Sequence, residues 1–507
     1  MSFSGGLKLT DLDDHITPSV ACILPVESKF EKKDPEKKGG HAKTIIQLED
    51  GDAFEVIDGE SQKLEKATID LNDCLACSGC ITTAESILVS LQSHLELYKA
   101  LENKLDPNNP IQHIVVSIAP QVFANLAAKF NVPSQKIISN LVRFLHLLGV
   151  DQVIDVTIGR DLSLVYSAQE FVQNYRHRQN PTNAVDTTPL NTPILSSLCP
   201  GWICYAEKTH GFILPHISKV KSPQQIVGSL VKYWYGPKIN LRPDQIYHVS
   251  VMPCYDKKLE ASRQDFYNDI FSTRDVDCVL TTTEMEKLME EKGYNWDESV
   301  EDVMDSPLHK LSNIPPNIAQ EWQYYPSSPH LYSLSSSTTG GYVNYIMQYA
   351  AKELFNIDLS VEHSHNVSIK TIRNSDYQEI SLINGDTTVL KFALAYGFRN
   401  IQNIIRKAKT NKVSQYDYVE IMACPSGCIN GGGQSKHQTL HGKEWTAQML
   451  TKYSEMNPFP QLPHLNPLLL ALDQDWQPTH GEANYIVTDY KAVENTITAT
   501  TGLGTKW

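Results

Sequence analysis

Ten cysteines are the residues of this chain best able to do chemistry, and five fall in two tight groups: Cys74, Cys77 and Cys80, then Cys424 and Cys428. Thiolates are soft ligands that hold iron–sulfur clusters or zinc. The second group lies in Glu420-Ile-Met-Ala-Cys424-Pro-Ser-Gly-Cys428-Ile-Asn-Gly-Gly-Gly-Gln434. Residues 416–422 read as a buried strand; the chain then turns, offers two sulfurs and runs through Gly431, Gly432 and Gly433. Lacking a Cβ, such glycines let backbone N–H groups approach a bulky inorganic anion. Alone, the loop fits half a zinc site as well. What argues otherwise is that Cys199 and Cys254 also close apolar runs, at 193–198 and 247–252.

The first group is Cys74-Leu-Ala-Cys77-Ser-Gly79-Cys80. Two-residue spacing lets a tight loop aim successive sulfurs at one cubane, and Gly79 eases the turn. Zinc sites usually show two separated Cys-x-x-Cys pairs instead. The next cysteine downstream is Cys199, so a fourth ligand must come from elsewhere; Cys22 is nearest in sequence. A lone upstream cysteine reads equally well as a core residue.

The elements that must position these thiols follow from periodicity. Residues 29–43 are densely charged and read as a flexible insertion. Ile87, Leu88, Leu91, Leu95, Tyr98, Leu101 and Leu105 recur at helical spacing. Strands are expected at 113–119, 150–158, 193–198, 247–252 and 416–422. A helix through Ile137, Ile138, Leu141, Leu145 and Leu148 should end at Gly149, and residues 390–407 read as helical. Ser222-Pro-Gln-Gln225 should open a helix, with serine as N-cap and Gln225 closing a capping box. Continuous apolar runs alternating with helices imply an α/β fold with parallel sheets. Ligands in such folds sit beyond the carboxyl ends of the strands. Cys199, Cys254, Cys424 and Cys428 could therefore meet at one crevice.

At 507 residues the chain exceeds one hydrophobic core, and 41% hydrophobic with 20% charged residues is an ordinary globular balance. The net charge of −14 argues against nonspecific nucleic-acid binding. No apolar run reaches the ~18 residues that span a membrane. Asp11, Asp13 and Asp14 are out of place in a secretory leader. In an intracellular setting disulfides are rare, so clustered cysteines point to metal or catalysis.

Three stretches then resemble the signatures of iron-only hydrogenases, in the same order over about residues 110–435. They are Leu198-Cys199-Pro-Gly-Trp202, Met252-Pro-Cys254-Tyr-Asp-Lys257-Lys-Leu-Glu260 and the segment from Glu420 to Gln434. Lys221-Ser-Pro-Gln-Gln225 and Thr339-Gly-Gly341 resemble that family too. The resemblance implies two flavodoxin-like, parallel-sheet lobes around a buried 4Fe–4S cubane held by Cys199, Cys254, Cys424 and Cys428. In hydrogenases the residue matching Cys428 also bridges to a di-iron subsite.

Departures from that pattern redirect the function. Leu198 occupies the position of a proton-shuttling cysteine, and the family's acidic pair aligns with Tyr166 and Ser167. Proton transfer needs ionisable groups in reach, so the relay is cut twice, although Met252, Lys257, Glu260 and Met422 persist. The chain more closely resembles the hydrogenase-like assembly factors of the cytosolic iron–sulfur pathway (the nuclear prelamin A recognition factor-like family). That resemblance implies two 4Fe–4S clusters, the first on Cys22, Cys74, Cys77 and Cys80 of a small N-terminal module. It also implies a cytoplasmic, non-catalytic carrier, with the nucleus as a further location. Its expected partners are an upstream cluster scaffold, a WD40-propeller targeting complex reached through Trp507, and apo iron–sulfur proteins.

The expected domains are an N-terminal module over 1–107 with its insertion at about 28–66, lobes over 108–248 and 249–440, and a helical C-terminal region with tail over 441–507. Cys204 and Cys278 read as core residues rather than ligands. His363 and His365 could form a metal pair, but read more simply as surface histidines. An iron–sulfur oxidoreductase and a scaffold with two structural clusters are the competing functions.

Overall fold

The computed structural model describes residues 45–49, 52–57, 60–63, 88–180, 191–196, 198–294, 339–359, 366–410, 412–456, 462–476 and 485–493. The chain divides into two compact units, residues 1–82 and 83–507. Within the first, strands Ile45–Glu49, Asp52–Ile57 and Glu60–Lys63 form an antiparallel meander, with Ile45 opposite Val56 and Ile57 opposite Glu60. The expectation of a flexible insertion over about 28–66 is corrected for these strands. Asp50-Gly51 and Asp58-Gly59 link them in the sequence. That dipeptide is the strongest short-range hairpin signal.

The second unit holds two larger sheets. Four parallel strands make the first, in the order Cys278–Thr281, Ile246–Met252, His113–Ile118, Gln152–Asp155. Nearly all their residues are buried, as strands covered on both faces require. The other is mixed, in the order Val367–Thr371, Tyr377–Asn384, Thr387–Tyr396, Tyr418–Met422, Ile194–Leu195. Its first two pairings are antiparallel and its last two parallel.

The strands do not follow the expected division at 248/249. That boundary falls inside Ile246–Met252, while Ile194–Leu195 joins the second sheet and Cys278–Thr281 the first. Each sheet recruits one strand across the proposed boundary, a long-range choice that local patterns do not encode. Similarly, helix His94–Leu105 packs on the first sheet rather than ending the N-terminal module. Leu97 is fully buried, and Gln92 Oε1 accepts a hydrogen bond from Val279 N at 3.0 Å.

Local expectations met mixed outcomes. Helix Ser134–Leu148 stops at Gly149, whose φ of 102° is cheap only for glycine. The strand expected at 150–158 is confined to Gln152–Asp155, because Asp155 accepts from the backbone and hydroxyl of Thr157 and starts helix Thr157–Gln179. Residues 390–407 split into the end of strand Thr387–Tyr396 and helix Phe398–Lys409. Helix Pro223–Leu230 begins after Ser222 as expected, yet no capping box forms. The Ser222 hydroxyl donates to Glu260 instead, and Gln225 is wholly buried with neither side-chain polar atom bonded to protein.

Candidate metal centre

Both sheets end at the same place. Cys254 lies two residues beyond Met252, the last residue of a first-sheet strand. Cys424 lies two beyond Met422, which ends a second-sheet strand, and Cys428 follows in the turn Gly427–Asn430. Cys199 is the N-cap of helix Pro200–Thr209, just past Ile194–Leu195. The turns interlock through backbone. Gly433 N donates to Pro253 O at 2.9 Å, and Ala423 N donates to Cys199 Sγ at 3.4 Å. A Cβ on Gly431 would stand 2.3 Å from Pro253 O, and one on Gly201 2.8 Å from Asp256 Oδ2. The glycines here are needed for close approach, since Gly431 itself has φ −65°.

The structure thus brings the four thiols of this set together. Cys424 feels the charge of Cys199 and Cys428, and Cys254 that of Cys424 and Cys428. Burial raises the pKa of every one, reinforced by neighbouring thiols at Cys254, Cys424 and Cys428; Cys428 is pushed up to about 12. At neutral pH the bare thiols hold their protons, so four thiolates require a strongly cationic group among them. Among the described residues, no three His, Cys, Asp or Glu side chains converge tightly enough for one metal ion. Four thiols are the soft donor set that an iron–sulfur cluster takes.

The neighbouring polar residues are held firmly. Lys257 Nζ donates to Leu198 O at 3.2 Å, Ser222 Oγ at 3.0 Å and Glu260 Oε2 at 2.7 Å. Glu420 is buried and accepts from Tyr396 OH and Val343 N at 2.8 and 2.9 Å, and from the Thr339 hydroxyl. That ties the Thr339-Gly-Gly341 segment to the strand that delivers Cys424. Met252, Met422 and Leu198 are buried as well. Tyr166 donates to Asp473, and Ser167 is buried.

Cys278 lies inside its strand with Sγ 3.8 Å from Ser93 O. Cys204 lines a cleft with Glu260, Arg263 and Thr488. Cys22, Cys74, Cys77, Cys80, His363, His365 and Trp507 lie outside the described residues.

One half-buried acid escaped the sequence reading. Glu170 accepts from Lys219 N at 2.9 Å, its Oε2 is shielded from solvent, and desolvation, opposed by Ser218 and Lys219, raises its pKa to about 7. Between its ordinary value of 4.5 and about 7, the folded chain keeps a proton that the unfolded chain has released. Stability therefore falls as pH rises through that window. Glu170→Gln stays neutral throughout, so it should gain about 3 kcal/mol over the parent at pH 8 and nothing near pH 4. Urea midpoints at both pH values test this; an equal shift at each would sink it.

The family described as "Iron only hydrogenase large subunit, C-terminal domain" matches residues 112–432. "Cytosolic Fe-S cluster assembly factor narfl" of Xenopus tropicalis is 45% identical over 515 residues, covering 100% of this chain and 99% of that protein. "Cytosolic iron-sulfur assembly component 3" of Mus musculus is 45% identical over 512 residues with the same coverage. Solved FeFe-hydrogenases, including HydA1 from Chlamydomonas reinhardtii, superpose with a TM-score of 0.63 at 24% identity, over 78% of this chain and 98% of theirs. That identity carries the fold alone. The profile match and the full-length relatives together place the chain in the iron-only hydrogenase large-subunit family, among its cytosolic iron–sulfur cluster assembly factors.

Proposed function

We propose that this chain is a component of cytosolic iron–sulfur protein assembly that binds two 4Fe–4S clusters and delivers clusters to extramitochondrial apoproteins. Cys199, Cys254, Cys424 and Cys428 hold one cluster; Cys22, Cys74, Cys77 and Cys80 hold the other. The observation carrying this reading is the meeting of four thiols, Cys199 buried and the other three half-buried, at the carboxyl ends of two sheets. When bound, the cluster supplies iron that neutralises the thiolates. The chain's residues orient the sulfurs, exclude water and fix the nearby charges.

The role is non-catalytic, because Leu198 offers only an alkyl side chain where a proton shuttle is needed. The upstream scaffold and a WD40-propeller complex contacting Trp507 are the partners, in the cytoplasm and also the nucleus. A second reading, an iron–sulfur oxidoreductase, draws on the retained Lys257–Glu260 pair beside the thiols.

Iron loss to a chelator followed by transfer to an apo-acceptor tests the carrier role. The second centre, interlocked by backbone contacts, should lose iron slowly and the N-terminal one faster, with the faster pool appearing on the acceptor. Equal loss rates, or no transfer, would count against it. Turnover with an artificial electron donor would favour the oxidoreductase.

A further inference from the structure

We propose that Lys257 is the built-in cation of the second centre, fixed so that its charge sets the reduction potential of the group the four cysteines hold. The proposal rests on the reading that those cysteines bind an iron–sulfur cluster. Lys257 lies one helical turn after Cys254, in helix Asp256–Ala261. Its Nζ donates at 3.2 Å to the carbonyl of Leu198, the residue before Cys199. The ammonium is therefore tied to both cysteine-bearing turns.

Its position is over-determined. Ser222 Oγ and Glu260 Oε2 take its other hydrogen bonds at 3.0 and 2.7 Å, and Gln224 Nε2 donates to its backbone carbonyl at 3.1 Å. The Lys257 and Glu260 side chains are 9% and 8% exposed. Glu260 is pinned in turn by the Ser222 hydroxyl. Breaking a buried pair is costly, so the ammonium cannot swing to solvent.

The pair is also oriented. Lys257 favours the thiolates of Cys199, Cys254 and Cys428; at Cys428 Glu260 opposes it with the weaker effect. Its positive end is bonded to the carbonyl that precedes Cys199. The half-buried Asp256 and the buried Glu420 act in the opposite sense, so Lys257 is a favourable charge against a background of acids. Accepting one electron makes the cluster and its thiolates more negative by one charge. A fixed cation in a low-dielectric interior stabilises that reduced form.

The test is potentiometry followed by electron paramagnetic resonance, on the full chain carrying Cys77→Ala so that one cluster reports. Iron and sulfide are counted first. Lys257→Met should lower the equilibrium constant for reduction about tenfold, which is about 59 mV for one electron. Glu260→Gln should raise the potential, and Lys257→Arg should stay close to the parent. A merely structural role would not give shifts of opposite sign. No shift in either variant, or shifts in the same direction, would overturn the proposal. Should Lys257→Met take up no cluster, Glu260→Gln decides: a rise supports the proposal and an unchanged value overturns it. A parent chain that binds no cluster at the second site would overturn the cluster reading, and the proposal with it.

Discussion

Replacing Cys424 by alanine should leave a folded chain that retains about half the iron and sulfide of the parent after anaerobic reconstitution. The chemistry is selective because the four thiols act as a set. With one sulfur gone, the remaining three face a group they cannot neutralise completely. Desolvation already holds Cys199, Cys254 and Cys428 toward their protonated form. They revert to neutral thiols, which cost little to bury. The surrounding scaffold does not depend on the Cys424 sulfur, since Ala423 N still reaches Cys199 Sγ and Gly433 N still reaches Pro253 O. Cys204→Ala and Cys278→Ala should leave the iron content unchanged. Undiminished iron in Cys424→Ala would contradict the ligand assignment.

Gly431→Ala should be nearly as damaging without removing any ligand. Its Cβ would sit 2.3 Å from Pro253 O, 2.9 Å from Pro253 C and 3.2 Å from Cys428 O. All three are backbone atoms, so no side-chain rotation relieves the clash. The relaxation open to the chain is to part the Cys428 turn from the Pro253-Cys254 turn. Overpacking of this kind costs about 1–3 kcal/mol, and here it separates two of the four sulfurs. Faster iron loss from the second centre and a lower denaturation midpoint are the expected results. Gly385→Ala is the control, because its φ of 62° imposes backbone strain with nothing within 4 Å of the added carbon. If Gly431→Ala held iron as long as the parent did, close approach of the two turns would not matter for binding.

Much of this centre could be read before any coordinates. The strands leading to Cys254 and Cys424 announce themselves as apolar runs closed by proline, cysteine and glycine, and Ile246–Met252 and Tyr418–Met422 lie where those runs do. What escaped were choices made by the tertiary fold. Residues 390–396 are uniformly apolar apart from Lys391, and Ala393 and Ala395 suit a helix. Only pairing with Tyr377–Asn384 on one side and Tyr418–Met422 on the other makes the run a central strand. Ser222 carries every local mark of a capping serine, yet the buried Lys257–Glu260 pair claims its hydroxyl. The stripe through Leu88, Leu91 and Leu95 is a pattern that faces outward; the buried positions of that segment are Val89, His94, Leu97 and Ala100. The tie at Gln92 to Lys258 O and Ser262 Oγ sets that rotation. Glu170 gave no signal at all, because its burial depends on the distant Lys219 backbone.

The central claim is that the chain carries two cubanes and no di-iron site. Mössbauer spectroscopy of the anaerobically reconstituted full chain, with iron and sulfide counted on the same sample, tests it most directly. The account predicts spectra made only of 4Fe–4S components, in amounts that Cys77→Ala and Cys424→Ala each reduce by about half. Additional iron in a di-iron environment, or zinc bound without sulfide, would contradict it.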